Sequence, residues 1–245
     1  MTKEMNPLDT LLHDLVHAFQ ILAMDGQGSG ISGHLTARLP GARTFWSIPY
    51  GYGFEEATAN DLIESDFDLR TVTGTLPCNP TLNIHTEIYE ARPEVCCILH
   101  THSEASLTLG IVGSNLEPVT QSGALFYEDI VLFDEFDGIV LDKKEGASIA
   151  SQLGSNRAIL LRNHGSVVVG ASIAETTIAA TVLEFAARVQ LGAMAVGTPK
   201  LLPAAEIRQT KAFLQRPDVV DLRWKLLVRQ ARQHNPRFRA ERTQG

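Results

Sequence analysis

The chain has 245 residues, 44% of them hydrophobic and 20% charged, with a formal charge of −7 and a pI near 5.6. That much apolar content suffices for one sizeable core, and the net acidity argues against nonspecific binding to nucleic acid or to an anionic membrane. No linker-like tract interrupts the sequence, so it reads as one domain over residues 1–245, with a core of about 8–202 and a helical extension over 203–245.

Residues 8–24 place Leu11, Leu15, Val16, Phe19 and Leu22 at near-helical spacing, which predicts an amphipathic opening helix capped by Asp9 and Thr10. His13 and His17, four residues apart on it, read as a solvated face. The Gly- and Ser-rich stretch 25–33 reads as a turn from helix to strand. Its glycines follow a helix, whereas a dinucleotide-binding loop follows a strand. Residues 34–39 alternate, Pro40-Gly41 turns the chain and residues 44–49 return, predicting an antiparallel hairpin that argues against a doubly wound parallel sheet. Tyr50, Tyr52 and Phe54 form an aromatic loop that either lids the core or contacts a substrate ring.

Farther along, a helical turn at 58–62 is expected before a strand over 68–72. A helix follows over 83–92, stopping ahead of Pro93, then a buried strand over 95–99 and another helix beginning at His100 and running to Leu109. The acidic residues at 134–137 lack the spacing of a calcium loop and read as solvent-exposed. A helix over 144–153, strands at 158–161 and 167–169, and a long Ala-rich helix over 173–196 complete the core. The tail from Pro203 is helical, then increasingly basic, with Arg237, Arg239 and Arg242 at its end; it reads as a solvated end or a subunit contact.

The apolar runs read as too short and interrupted to span a bilayer, and residues 1–7 lack an apolar signal core, so the cytoplasm is the expected location. Cys78, Cys96 and Cys97 include no Cys-x-x-Cys pair, which excludes a zinc ribbon; they read as small buried residues in a reducing compartment.

The chemistry concentrates at the ends of two apolar strands. His100 and His102 lie two residues apart, and alternate residues of a strand share a face, so both imidazoles can address one point. His164, in Asn163-His164-Gly165, follows the second apolar run. Three neutral imidazoles at strand ends are a candidate site for one divalent transition ion per subunit, zinc, manganese or iron.

Residues 85–102, Asn163-His164-Gly165 and the helix entry at 170–175, together with residues 33–38 and 58–62, resemble the class II aldolase/adducin superfamily over residues 11–202. The resemblance implies an α/β fold, a three-layer α/β/α sandwich with a mainly antiparallel central sheet. It also implies metal ligation by His100, His102 and His164, a small-molecule substrate, and a homotetramer with sites at subunit interfaces. Neither nucleic acid nor membrane is an expected partner.

Aldolases of the superfamily carry a carboxylate nineteen positions before the first metal histidine; here that position is Thr81, which cannot act as a carboxylate base. Positions that match the family's phosphate cradle are Gly33-His34, Tyr50-Gly51 and Asn79-Pro80, which lack several of the small donors that hold a phosphate. Together with Gln121 and Tyr127 these are the candidate substrate contacts, while His34, His85 and Glu87 are candidates for proton transfer. The expected function is metal-dependent carbon–carbon bond cleavage, aldolase- or decarboxylase-type, on a non-phosphorylated and flatter, aromatic acid. The alternatives are a non-haem iron oxygenase acting on a phenylpyruvate- or mandelate-like acid, and a non-catalytic adducin-like interaction domain, against which the three histidines count.

Overall fold

The computed structural model describes residues 6–135 and 138–234. Its strands are β1 (His34–Ala37), β2 (Thr44–Ser47), β3 (Ile63–Asp66), β4 (Thr71–Thr73), β5 (Cys97–Thr101), β6 (Ile130–Phe133), β7 (Ala158–Leu161) and β8 (Gly165–Gly170). Its helices are α1 (Pro7–Met24), α2 (Asn83–Ala91), α3 (Glu104–Ile111), α4 (Lys143–Leu153), α5 (Ile173–Val196), α6 (Ala204–Leu214) and α7 (Pro217–His234). The strands form one sheet in the order β4-β3-β2-β1-β5-β8-β7-β6. Every neighbouring pair is antiparallel except β6 with β7.

Strand periodicity divides the core in two. Leu35, Ala37, Leu99, Leu160 and Val168 point to the face covered by α1, α3 and α5, whereas Ile98, Ile159, Val167 and Val169 meet α2 and α4 on the other. The result is the three-layer α/β/α arrangement with a mainly antiparallel sheet. Only small segments depart from the sequence-based expectation. The cap of α1 is Asn6, whose side chain accepts the Asp9 N–H at 2.8 Å, and not Asp9 or Thr10; Pro7 then opens the helix with a fixed φ. The strand expected over 68–72 is instead a hairpin of β3 and β4. The Asp66 carboxylate accepts the N–H groups of Asp68 and Arg70 at 2.9 Å each, and Leu69 turns the chain at φ 61°. Helix α3 begins at Glu104 because His100 and Thr101 are held in the sheet by β1 and β8.

Helix α5 also corrects the expectation that no run could span a bilayer. At 24 residues, with an 18-residue window of mean hydropathy 1.3, it passes by length and composition, yet its face from Ile173 to Gln190 is buried in the core. His17 is not on a solvated face either: α7 covers it, leaving 3% exposed, and Arg232 Nε donates to its Nε2 at 3.1 Å. Cys96 is only half-buried, while Cys78 and Cys97 are buried. Arg237, Arg239, Arg242, Phe136 and Asp137 lie outside the described residues.

Candidate metal centre

His100 sits near the end of β5, opposite His34 of β1 on one side and Val167 of β8 on the other, and His102 follows one step past the strand. Both point toward the α2 face, as their spacing requires. His164 arrives from the β7–β8 turn, where Asn163 adopts φ 57°, a left-handed conformation that asparagine tolerates better than most side chains. Gly165 then passes close under the rings. A Cβ there would lie 2.4 Å from the Thr101 carbonyl oxygen and 2.9 Å from His102 Cδ2. The glycine is therefore a steric requirement of the cluster.

The three ring systems lie 4.8–5.1 Å apart centroid to centroid, and one nitrogen from each falls within 4.8 Å of the others. His100 Nε2 and His102 Nε2 are 3.0 Å apart. Two nitrogens each about 2.1 Å from one ion would be roughly 3.0–3.4 Å apart, so the spacing fits a shared ion. His100 Nδ1 lies 3.0 Å from the Ser166 carbonyl oxygen, which fixes the proton on Nδ1 and leaves the Nε2 lone pair for the cluster. Burial, and then the neighbouring imidazoles, hold His100 well below its ordinary value; burial lowers His102, and burial followed by His102 lowers His164 to about 4. All three are thus neutral near pH 7, the protonation state that ligation needs.

A second layer holds this one in place. The Ser29 hydroxyl accepts the His102 N–H at 3.0 Å, so the Gly/Ser-rich loop serves as an anchor for the end of β5. Behind the cluster, His34 Nδ1 lies 2.9 Å from His85 Nε2, His85 Nδ1 lies 2.8 Å from Thr36 Oγ1, and Thr36 Oγ1 lies 2.9 Å from the Tyr89 hydroxyl. On the open side, His34 Nε2 lies 3.1 Å from Thr81 Oγ1. Burial holds both His34 and His85 well below their ordinary range.

The histidines open onto a cleft of about 560 Å³ that Tyr50, Asn79, Thr81 and His34 also line. Gly33 and Gly51 border a smaller recess on the other side of His34 and Asn79. His85 stands behind His34 and does not line the cleft. Glu87 turns toward α4, where its Cγ would meet a Cβ at Gly146 at 3.1 Å. Gln121 is exposed at the start of a short 3₁₀ helix (Ser122–Phe126), and the Tyr127 ring lies under Arg208 of α6, so neither reaches this cleft within one chain. Sequence reasoning missed Ile84, Leu107, Val140 and Asn163 as lining residues. Asn163 alone had a signal, its place beside His164. No Asp, Glu, Lys or Arg is among the described lining residues. Glu135 and Glu145 line a small adjoining recess that shares Gly138, Val140 and His164 with the cleft; Glu145 accepts the Leu141 N–H.

His13, Asp14 and His17 form a second group at ligating distance. His17 Nδ1 faces the His13 carbonyl at 2.8 Å and its Nε2 faces Arg232, so its nitrogens are already occupied.

The family model for the Class II Aldolase and Adducin N-terminal domain matches residues 13–191. The chain belongs to this family. Among its relatives is decarboxylase NovR of Streptomyces niveus, 39% identical over 184 residues that cover 74% of this chain and 68% of that one. Another is the 4-hydroxy-3-prenylphenylpyruvate oxygenase/4-hydroxy-3-prenylbenzoate synthase of Streptomyces roseochromogenus subsp. oscitans, 38% identical over 184 residues that cover 74% of this chain and 66% of that one. The chain thus spans about two thirds of the length of these two relatives. The solved structure of L-fuculose 1-phosphate aldolase from Glaciozyma antarctica PI12 superposes with a TM-score of 0.84 at 27% identity, over 95% of this chain and 94% of that one. Family and fold are those the sequence motifs implied.

Proposed function

We propose that this class II aldolase family member is a metal-dependent enzyme that cleaves a carbon–carbon bond in an aromatic acid, by a decarboxylase- or aldolase-type reaction. The observation that carries the reading is the cleft itself: three neutral imidazoles converge at its base, and no charged side chain is among its described lining residues. His100, His102 and His164 would hold one divalent ion, which supplies Lewis acidity toward a carbonyl or carboxylate oxygen. Asn79, Thr81 and His34 offer hydrogen bonds to the polar end of the substrate. Ile84, Leu107 and Val140 line the cleft with apolar surface suited to a ring and to the exclusion of water. With no carboxylate among those residues, an anionic substrate meets no repulsion there. His34, Tyr50 and Asn79-Pro80, at the positions that match the family's phosphate cradle, also disfavour a phosphate because they lack several of its small donors.

The decarboxylase among the two Streptomyces relatives supports the reaction type, and the oxygenase named for a prenylated phenylpyruvate supports an aromatic acid as substrate. The second relative also favours a second reading, a non-haem iron oxygenase, with which a three-histidine donor set lacking a carboxylate is compatible. Metal analysis of the purified protein, followed by turnover of phenylpyruvate-class and benzoylformate-class acids, separates the two. Carbon dioxide or aldehyde release without oxygen supports the lyase; strict coupling to oxygen uptake supports the oxygenase. His164→Ala is expected to lower the bound-metal content and abolish turnover, and full metal retention in that variant would remove His164 from the site.

The assembly proposed is a homotetramer. Ile31, Tyr50, Ile139 and Leu141 line the cleft yet are 50%, 47%, 69% and 62% exposed in the isolated chain, a degree of apolar exposure that a neighbouring copy would cover. Light scattering is expected to give four times the 26.7 kDa chain mass; a monomer at micromolar concentration overturns this.

A further inference from the structure

From Asn79, Thr81 and His34 in the wall of the cleft back to His85, Thr36 and Tyr89 behind it runs a hydrogen-bonded chain whose directions can be assigned. The Thr81 backbone N–H can only donate, and it lies 3.0 Å from Asn79 Oδ1, which identifies that atom as the amide oxygen. The Thr81 hydroxyl lies 2.7 Å from the same oxygen and so donates to it as well. Its lone pairs are then free to accept, and the neighbour is His34 Nε2 at 3.1 Å, which must carry a proton. His34 Nδ1 lies 2.9 Å from His85 Nε2, and the direction there is fixed from the far end: a Tyr89 hydroxyl that donates to Thr36 Oγ1 turns the Thr36 proton to His85 Nδ1, so His85 Nε2 carries the proton and His34 Nδ1 accepts it. The Tyr89 hydroxyl closes the sequence by donating to Thr36 Oγ1. Running the chain the other way would leave the Tyr89 proton, on a side chain 1% exposed, without an acceptor among the described residues. That would cost the desolvation of a buried donor.

We infer that Tyr89, Thr36 and His85 are positioning residues that lock His34 in its Nε2–H tautomer, and that the chain ends by presenting the Asn79 amide nitrogen to the cleft as a donor. Among the described residues Asn79 Nδ2 has no protein partner, although both hydrogen bonds to its oxygen come from Thr81. The group that this chain leaves over for a ligand is therefore a donor. It suits a ligand oxygen that only accepts, such as a carboxylate or oxo group. His34 acts there as a fixed donor, not as a base. This inference rests on the proposed substrate class for its ligand arm alone; the direction of the chain is independent of it.

Two-bond ¹⁵N–¹H correlation spectra of the full-length protein labelled at histidine read the tautomers directly, with His34→Asn used for assignment. At pH 7, His34 and His85 are expected to show a protonated Nε2 and a bare Nδ1. A protonated Nδ1 on His34 overturns the inference, and the spectrum that decides it is that of the wild-type protein. Tyr89→Phe removes one of the two ends that set the direction, so the His34 Nδ1 resonance should shift toward the protonated position, the Thr81 end alone then holding the tautomer. An unchanged resonance removes Tyr89 from the chain. In the ligand arm, Asn79→Asp is expected to weaken phenylpyruvate binding at least tenfold, and unchanged affinity overturns the donor role of Asn79. If wild-type protein does not bind phenylpyruvate, the substrate reading above is overturned, and the imidazole spectra still decide the chain.

Discussion

Thr81 stands where the family resemblance implies a carboxylate. Its hydroxyl bridges His34 and Asn79, so a carboxylate installed there would both add negative charge beside the histidine cluster and remove the bridge. Thr81→Glu should therefore retain metal more tightly while lowering kcat/KM for the native acid, because added anionic charge weakens Lewis acidity and repels an anionic substrate. No sugar-phosphate aldolase activity should emerge, since the phosphate donors are still missing; a panel of sugar phosphates assayed beside the native acid checks both halves. Gly165 is the other position where a single atom decides. Gly165→Ala must push the Thr101 carbonyl or the His102 ring aside. The expected cost is about 1–3 kcal/mol in urea unfolding and a roughly 10–100-fold loss of metal affinity. A variant that unfolds at the wild-type midpoint and keeps its metal would show that the turn relaxes freely.

Helix ends carry much of the element-level specificity. Glu184 of α5 is 3% exposed, and its carboxylate accepts the Ala105 and Ser106 N–H groups at 2.8 and 3.0 Å, neutralising the positive end of α3. Arg38 performs the converse task at the other end of α2. Its guanidinium donates to the Tyr89, Arg92 and Pro93 carbonyls, among others, and stacks 4.3 Å from the Tyr89 ring. Tyr89 is thus fixed at both its backbone and its hydroxyl, which is why α2 can hold His85 against His34. Glu184→Gln should destabilise the protein by about 1–2 kcal/mol, read as a lower urea midpoint at unchanged m-value. These caps come from residues 79 and 51 positions away in the sequence. A chain pass that looks for capping side chains next to the helix cannot find them, and α3 was accordingly begun too early.

For the whole molecule, the docking of α7 on α1 brings Arg232 against His17 and predicts a pH dependence. Burial is the main cause that lowers His17 from 6.5 to about 4. Between those values the unfolded chain binds the proton and the folded chain does not, so stability rises with pH there. The contribution is complete above about 6.5 and is lost as pH falls through about 4. His34, His85, His100 and His164, all lowered by burial, act in the same direction. Melting temperatures recorded from pH 7.5 to 4 should fall steadily, and the fall should be shallower in His17→Gln; an identical slope would mean that His17 protonates without consequence for the fold.

The three histidines of the cluster, the helix carrying His85 and the two strands that deliver His100 and His164 were legible in the sequence, because each rests on a local regularity. Strand alternation aims His100 and His102 together, Pro93 ends a helix, and Asn163-His164-Gly165 marks a turn. At Thr81 the family spacing gives only an expectation; its bridge between His34 and Asn79 is visible in the folded chain alone. Tertiary structure alone decided what these residues meet. Nothing local brings Tyr89 to Thr36, Arg232 to His17 or Glu184 to α3, nor shows that Glu87 faces α4 while Gln121 and Tyr127 point away from the cleft of their own chain. Those partnerships depend on how the layers close over the sheet, and that closure is set by the summed burial of the two cores, a quantity that no single stretch of the chain contains.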